Sequence, residues 1–148
     1  MATHTAGEGS LTTTEIELTE GKHFWEVELL SENMSYIYIG ISRPNLNPTG
    51  VYFGRECTGG WFMYPNYGYL SGNGKQGSHA AGAYEQGDRV GVLLDLDNGS
   101  LRFFKNGVQH GPGYAAGSVT GPVVAAVHMT CKDASVRLLP TAEAPAGV

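Results

Sequence analysis

The chain is poor in charge, in cysteine and in long apolar runs, and each shortage excludes something. Charged residues make up only 16% of its 148 residues. Nine Lys and Arg against fourteen Asp and Glu give a formal net charge of −5, so the basic footprint of a nucleic-acid binder is missing. The two cysteines, Cys57 and Cys131, sit in no C-x-x-C pair and are too few for a disulfide framework. One bridge between them is an alternative, but two buried free thiols in a reducing compartment are expected. No stretch approaches the ~18 apolar residues of a membrane span. Met1-Ala2-Thr3-His4-Thr5 has no basic region followed by an apolar run, as a signal peptide would. A cytoplasmic or nuclear protein is expected, with no nucleic-acid and no membrane partner. The sequons at Asn33 and Asn98 would matter only on the secretory route.

Glycine is plentiful: 22 residues, well above the usual ~7%. The glycines lie between short apolar runs with no G-x-y period, so neither collagen nor low complexity fits. Hydrophobic residues at 41% are too many for a disordered chain and enough for one core. The interior reads in period two. Trp25, Val27 and Leu29 point one way and Glu26 and Glu28 the other. Ile37, Ile39 and Ile41 oppose Tyr36, Tyr38 and Gly40. Val90, Val92, Leu94 and Leu96 precede Asp97-Asn98-Gly99-Ser100, and Leu101-Arg102-Phe103-Phe104 follows. Asn98-Gly99 between two such runs predicts a type I′ hairpin turn, and Asn106-Gly107 ends the returning strand. Pro122–Val127 and Val136–Leu139 supply late strands. No segment carries a helical stripe, so the fold class is all-β, a sandwich or barrel. Trp25, Val27, Leu29, Ile37, Ile39, Ile41, Val90, Val92, Leu94, Leu101 and Phe103 form the predicted core. Residues 1–12 and 141–148 read as flexible tails around one domain, 13–140.

Several chemistries are mimicked without being built. Gly72-Asn73-Gly74-Lys75-Gln76-Gly77 is a literal G-x-G-x-x-G, with Asp95 downstream. A dinucleotide site needs a helix N-terminus after the glycines to hold the pyrophosphate, and Ser78-His79-Ala80-Ala81-Gly82 offers none, so these glycines read as a turn. His4, His23, His79, His110 and His128 are isolated from one another, and His128 with Cys131 does not make a zinc site. No G-x-S-x-G elbow or ordered triad is present. Glu26 and Glu28 read as a solvated face, and Asp95 and Asp97 as caps of a turn. The chain is therefore expected to be no enzyme and to need no cofactor or metal.

The excess is aromatic. Tyr52, Phe53, Trp61, Phe62, Tyr64, Tyr67 and Tyr69 crowd into one stretch among Gly, Pro and Asn. Neighbours such as Tyr52-Phe53 and Trp61-Phe62 cannot both face one core, so some are expected to be exposed or to cover an edge. Either half of them fill the sandwich and the rest roof it, or Tyr64, Tyr67 and Tyr69 wall a peptide pocket.

The ordered set of motifs resembles the SPRY family. Its signature is matched by Gly87-Asp88-Arg89-Val90-Gly91-Val92-Leu93-Leu94-Asp95-Leu96, followed by Gly99-Ser100-Leu101-Arg102-Phe103-Phe104-Lys105-Asn106-Gly107. Gly21–Glu28 resembles the family's opening strand, Tyr38–Ser42 its Val-Gly strand, Gly60-Trp61 with Tyr69–Lys75 its Trp strand and Asn-Gly-Lys turn, and Pro122–Val127 its late apolar strand. The match runs from about Gly21 to Leu139. It implies a bent antiparallel two-sheet β-sandwich of lectin-like architecture. It also implies a non-catalytic adaptor that binds a protein or peptide partner, often as part of a larger multidomain protein or complex in ubiquitin-ligase, chromatin or signalling systems. The longer N-terminal subdomain of some members is not expected here, since only Leu11–Leu18 precedes the first matched strand. By resemblance, the peptide site is built from loops at one end of the sandwich. Those loops fall here on Arg43, Pro44 and Asn45, on Tyr69 and Ser71, and on His128 and Met129, beside Tyr64 and Tyr67. The alternative is a lectin-like carbohydrate-binding domain, with Trp61 and the tyrosines stacking on sugar faces.

Overall fold

The structure is a computed structural model that describes residues 2–4, 10–13, 16–32, 37–44, 59–72, 75–78, 81–129 and 134–139. The described strands are β1 (Ala2–His4), β2 (Ser10–Thr13), β3 (Lys22–Leu29), β4 (Ile37–Ser42), β5 (Gly60–Tyr64), β6 (Tyr69–Gly72), β7 (Lys75–Ser78), β8 (Arg89–Asp95), β9 (Ser100–Lys105), β10 (Val108–Gln109), β11 (Val124–Met129) and β12 (Ala134–Leu139). They form two antiparallel sheets, ordered β1-β12-β3-β8-β9-β10 and β2-β11-β4-β5-β6-β7. The described residues contain no helix. The expected all-β two-sheet sandwich is the observed fold.

Period two explains how the sheets meet. Every member of the predicted core lies in one buried cluster between them, joined by Trp61, Met63, Tyr84, Tyr114 and Met129. Burial of such side chains is the main drive for stacking two sheets. The outer face of the first sheet carries cross-strand ion pairs, Glu26 with Arg89 at 3.4 Å and Glu28 with Arg137 at 3.2 Å. The central strands of the second sheet bury side chains on both faces, which corrects the expectation for adjacent aromatics. Trp61 and Phe62 are both buried, at 2% and 0% exposure, because Trp61 enters the inter-sheet core while Phe62 packs outside with Tyr38, Tyr64 and Ala126. Tyr52-Phe53 lies outside the described residues.

Two further expectations change. The stretch 1–12, read as a tail, supplies edge strands: β1 pairs with β12, and β2 pairs with β11. Its small polar residues gave no apolar alternation to betray a strand, because an edge strand needs only backbone partners. The stretch 141–148 lies outside the described residues. The type I′ turn is not at Asn98-Gly99. Asp95 pairs with Ser100 around a four-residue loop, and Gly99 has φ 77° while Asn98 does not enter the left-handed region. The Asp95 carboxylate decides this. Its Oδ1 accepts from the backbone N–H groups of Asp97 (3.0 Å) and Asn98 (3.3 Å), and the Gly99 N–H donates to the Asp95 carbonyl at 2.8 Å. Asp95 thus caps the turn as expected, whereas Asp97 Oδ1 accepts from Gly21 N–H at 3.0 Å and ties the loop to the residue before β3 instead of capping its own turn. The two-residue turn with both central residues at positive φ is Asn106 (50°) and Gly107 (86°), between the paired Lys105 and Val108.

The Gly-Asp and Asn-Gly ends of the sequence signature meet in space. Asn106 Nδ2 donates to Asp88 Oδ1 at 2.9 Å, Arg89 N–H donates to Asn106 Oδ1 at 2.9 Å, and Glu85 N–H donates to Asp88 Oδ2 at 2.8 Å. These residues lock the start of β8 to the end of β9, so their role here is architectural. Partial burial pushes the Asp88 carboxyl up. The hydrogen bonds from Asn106 and Glu85, with the charges of Lys105 and His110, outweigh this and hold it below the usual carboxylate range. The folded chain therefore binds this proton less tightly than the unfolded chain. The resulting stability is complete above the ordinary value of 3.8 and is lost as pH falls through the lower folded value. Urea midpoints followed from neutral into acid pH should fall less steeply for Asp88→Asn than for the wild type; parallel acid limbs would remove Asp88 from the acid response.

Candidate functional site

Strand register decides which expected site residues can meet. Ile37 at the start of β4 pairs with Met129 at the end of β11, and Ser42 at the end of β4 pairs with Val124 and Gly60. Arg43 and Pro44 therefore leave one end of the second sheet, while His128 and Met129 lie at the other. Five residues of strand separate the two ends, about 17 Å at a rise of ~3.3 Å per residue. Tyr64 pairs with Tyr69 at the Met129 end. The expected set is not one constellation, and Asn45 lies outside the described residues.

Arg43 is occupied within the fold. Its Nη1 donates to the carbonyls of Thr120 and Pro122, the latter at 3.1 Å, and its Nη2 donates to Thr120 Oγ1 at 2.7 Å. The guanidinium lies 5.0 Å from the Trp61 ring centroid, and Trp61 Nε1 donates to the Ser118 carbonyl at 2.9 Å. A planar fork of donors suits this task, tying segment 118–122 to the end of β4. Ser71 is buried mid-strand, where its carbonyl accepts from the Tyr114 hydroxyl at 3.0 Å. Met129, at 1% exposure, fills the inter-sheet core and offers no surface. Alternation along β11 turns His128 the opposite way, toward Tyr38 with ring centroids 6.1 Å apart.

The tyrosines do come together. Tyr38 stacks on Tyr64 at 4.9 Å. Tyr64 meets Tyr69 and Tyr67 edge-on at 5.1 and 5.7 Å. Tyr67 and Tyr69 stack at 5.8 Å with their planes 12° apart. Tyr64 is buried, Tyr69 half-buried, and Tyr67 stands 56% exposed on the turn between β5 and β6. The result is an aromatic platform, resting on a buried ring layer, with Tyr67 as its exposed member.

The backbone under this platform is held from two sides. Within the turn, Tyr67 and Gly68 N–H groups donate to the Tyr64 carbonyl at 3.2 and 2.7 Å. Across it, segment 81–84 lies as a strap. Ala81 N–H donates to the Gly68 carbonyl, Gly82 N–H to the Tyr67 carbonyl and Tyr84 N–H to the Pro65 carbonyl, at 3.1, 3.1 and 2.8 Å. The strap is pinned to the first sheet by His110 Nε2 on the Gly82 carbonyl (2.8 Å), Lys105 Nζ on the Ala83 carbonyl (3.1 Å) and the Tyr84 hydroxyl on the Phe104 carbonyl (3.1 Å). Burial, with Asp88 nearby, pushes the Tyr84 hydroxyl pKa well up, so it remains a donor.

Two features escaped the sequence. Tyr38 belongs to the platform's support, and its place opposite the isoleucines in the β4 alternation was the available signal. A cavity of about 350 Å³ opens beside β3, lined by Ile16, Leu18, Phe24, Trp25, Ala125 and Leu138 among others. The i, i+2 spacing of Ile16 and Leu18 was its only trace. In the G-x-G-x-x-G stretch, Gly72 pairs with Lys75 and Ser71 with Gln76, so a strand follows where a pyrophosphate site needs a helix, and Asn73 and Gly74 lie outside the described residues. Cys57, Cys131 and His79 lie outside the described residues.

The SPRY domain family description matches residues 22–141. Among solved structures, the SPRY domain of human HERC1 is similar at a TM-score of 0.79 and 19% identity, over 95% of this chain and 88% of that one. A second structure, described as a human SPRY domain, aligns at a TM-score of 0.77 and 20% identity, over 93% and 88%. No curated protein sequence matches.

Proposed function

The chain belongs to the SPRY domain family, and from that premise we propose that it docks an extended segment of a partner protein on the platform of Tyr67 and Tyr69. SPRY domains are generally non-catalytic protein–protein interaction modules. The observation that carries the reading is Tyr67 itself, a large ring 56% exposed yet stacked, on a turn bonded from both sides. Tyrosine is enriched at interface hot spots because it offers a large amphipathic surface with few rotamers to freeze. A held turn lowers the ordering cost further. Of the residues expected from sequence, Tyr64, Tyr67, Tyr69 and His128 serve this reading. Arg43, Ser71 and Met129 have structural places instead.

The test selects peptides from a displayed random library on the wild-type chain, then measures their affinity for Tyr67→Ala and Tyr67→Phe. Tyr67→Ala should lose about 30-fold, the ~2 kcal/mol of a hot spot, with an unchanged melting midpoint. Tyr67→Phe should keep most of the affinity. Selected peptides that bind Tyr67→Ala as tightly as the wild type would place recognition elsewhere on the domain. A glycan array run in parallel tests the carbohydrate alternative.

A further inference from the structure

Resting on the platform reading, we propose that its occupant is an uncharged, proline-rich segment in the polyproline II conformation.

Charge comes first. No residue from Gly59 to Gly72 is charged, and neither is any from Ala81 to Tyr84. The nearest cation of the strap, Lys105, spends its ammonium on the Ala83 carbonyl and on Asp88, 3.8 Å away. An acidic or basic segment would find no partner on the hairpin and would lose hydration on docking.

Shape comes second. The Tyr67 and Tyr69 rings stack with their planes 12° apart, so the exposed Tyr67 ring presents one flat apolar face backed by Tyr69, with Tyr64 edge-on to both. Pyrrolidine rings are flat, rigid and apolar. In polyproline II they recur on one face every third residue, about 9 Å apart at ~3.1 Å per residue. The carbonyls of such a helix make no internal hydrogen bonds, and phenol hydroxyls can donate to them. Ordering costs are low on both sides, because the helix is preformed and the Tyr67 turn is held by the strap. A saccharide would fit the rings equally well but needs several polar side chains around its hydroxyls. The turn itself offers Asn66, whose Nδ2 already donates to the Tyr64 hydroxyl at 3.3 Å.

The experiment uses the full chain and an array of synthetic peptides about 12 residues long, roughly 37 Å as polyproline II. Proline content and net charge vary independently across the array, and a glycan array runs beside it. The expected result is binding concentrated in neutral peptides with two or more prolines. That affinity should fall about tenfold or more in Tyr67→Ala, hold in the exposed control Val108→Ala, and stay nearly constant from low to high salt. If charged or proline-free peptides bind best and lose affinity in Tyr67→Ala, the proline proposal is overturned while the platform reading stands. If no peptide binding depends on Tyr67, both fall. Tyr67-dependent binding of glycans alone would replace the peptide with a sugar.

Discussion

Phe103→Ala is expected to lower the stability of the domain by about 3–5 kcal/mol. Phe103 lies in β9 at 1% exposure, opposite Val92 of β8, inside the cluster that both sheets share. Removing its ring deletes dispersion contacts and leaves a void that β8 and β9 cannot close, since each is paired with a strand on both sides. Against a typical domain stability of ~5–15 kcal/mol this is a large fraction. The urea midpoint should drop by roughly 2 M at an unchanged slope. Val108→Ala, at a site 70% exposed on β10, should leave the midpoint within experimental scatter. Equal midpoints for the two variants would mean that the inter-sheet core has been assigned to the wrong face of β9.

Gly99→Val should cost at least about 2 kcal/mol and exceed Asn98→Asp by most of that amount. Gly99 sits at φ 77°, where a β-branched residue is strained by ~1–2 kcal/mol or more. Space is short as well. An added Cβ would lie 2.8 Å from the Val119 carbonyl oxygen and 3.1 Å from the Gly117 nitrogen. That neighbour is the segment whose Val119 N–H donates to the Gly99 carbonyl at 3.0 Å and whose Ser118 and Thr120 carbonyls receive Trp61 and Arg43. The valine therefore strains its own loop and pushes off the segment that Arg43 clamps. Asn98→Asp keeps an acceptor for Ser100 N–H, now at 3.1 Å from Asn98 Oδ1, and meets no crowding. Equal midpoints for the two variants would contradict the backbone described for this loop. A selective loss for Gly99→Val, with slowed quenching changes at Trp61, would tie the loop to the Arg43 clamp.

The sequence by itself determined the strands of the core and the class of fold, because alternation is local. A residue's own neighbours two positions away already say which face of Trp25–Leu29 or Ile37–Ile41 is apolar. The SPRY signature was legible for the same reason, as a run of strand, turn and strand. Turn chemistry was only half legible. Asn-Gly occurs twice with the same dipeptide preference, and the Asp95 carboxylate, acting on backbone groups two and three residues on, turned the first into a four-residue loop and left the type I′ turn to Asn106-Gly107. The aromatic stretch was visible, but its division into buried support and exposed platform was not. That depended on the second sheet burying side chains on both faces of its central strands, which no single strand encodes. The site was decided by tertiary structure alone. Arg43 follows the end of β4 and Met129 closes β11, so each flanks a matched strand. The two strands are antiparallel neighbours, however, so the end of one lies beside the start of the other, and the two residues are carried to opposite ends of the sheet. Strand pairing is a contact between residues far apart in sequence, and only its register says which loops share an end.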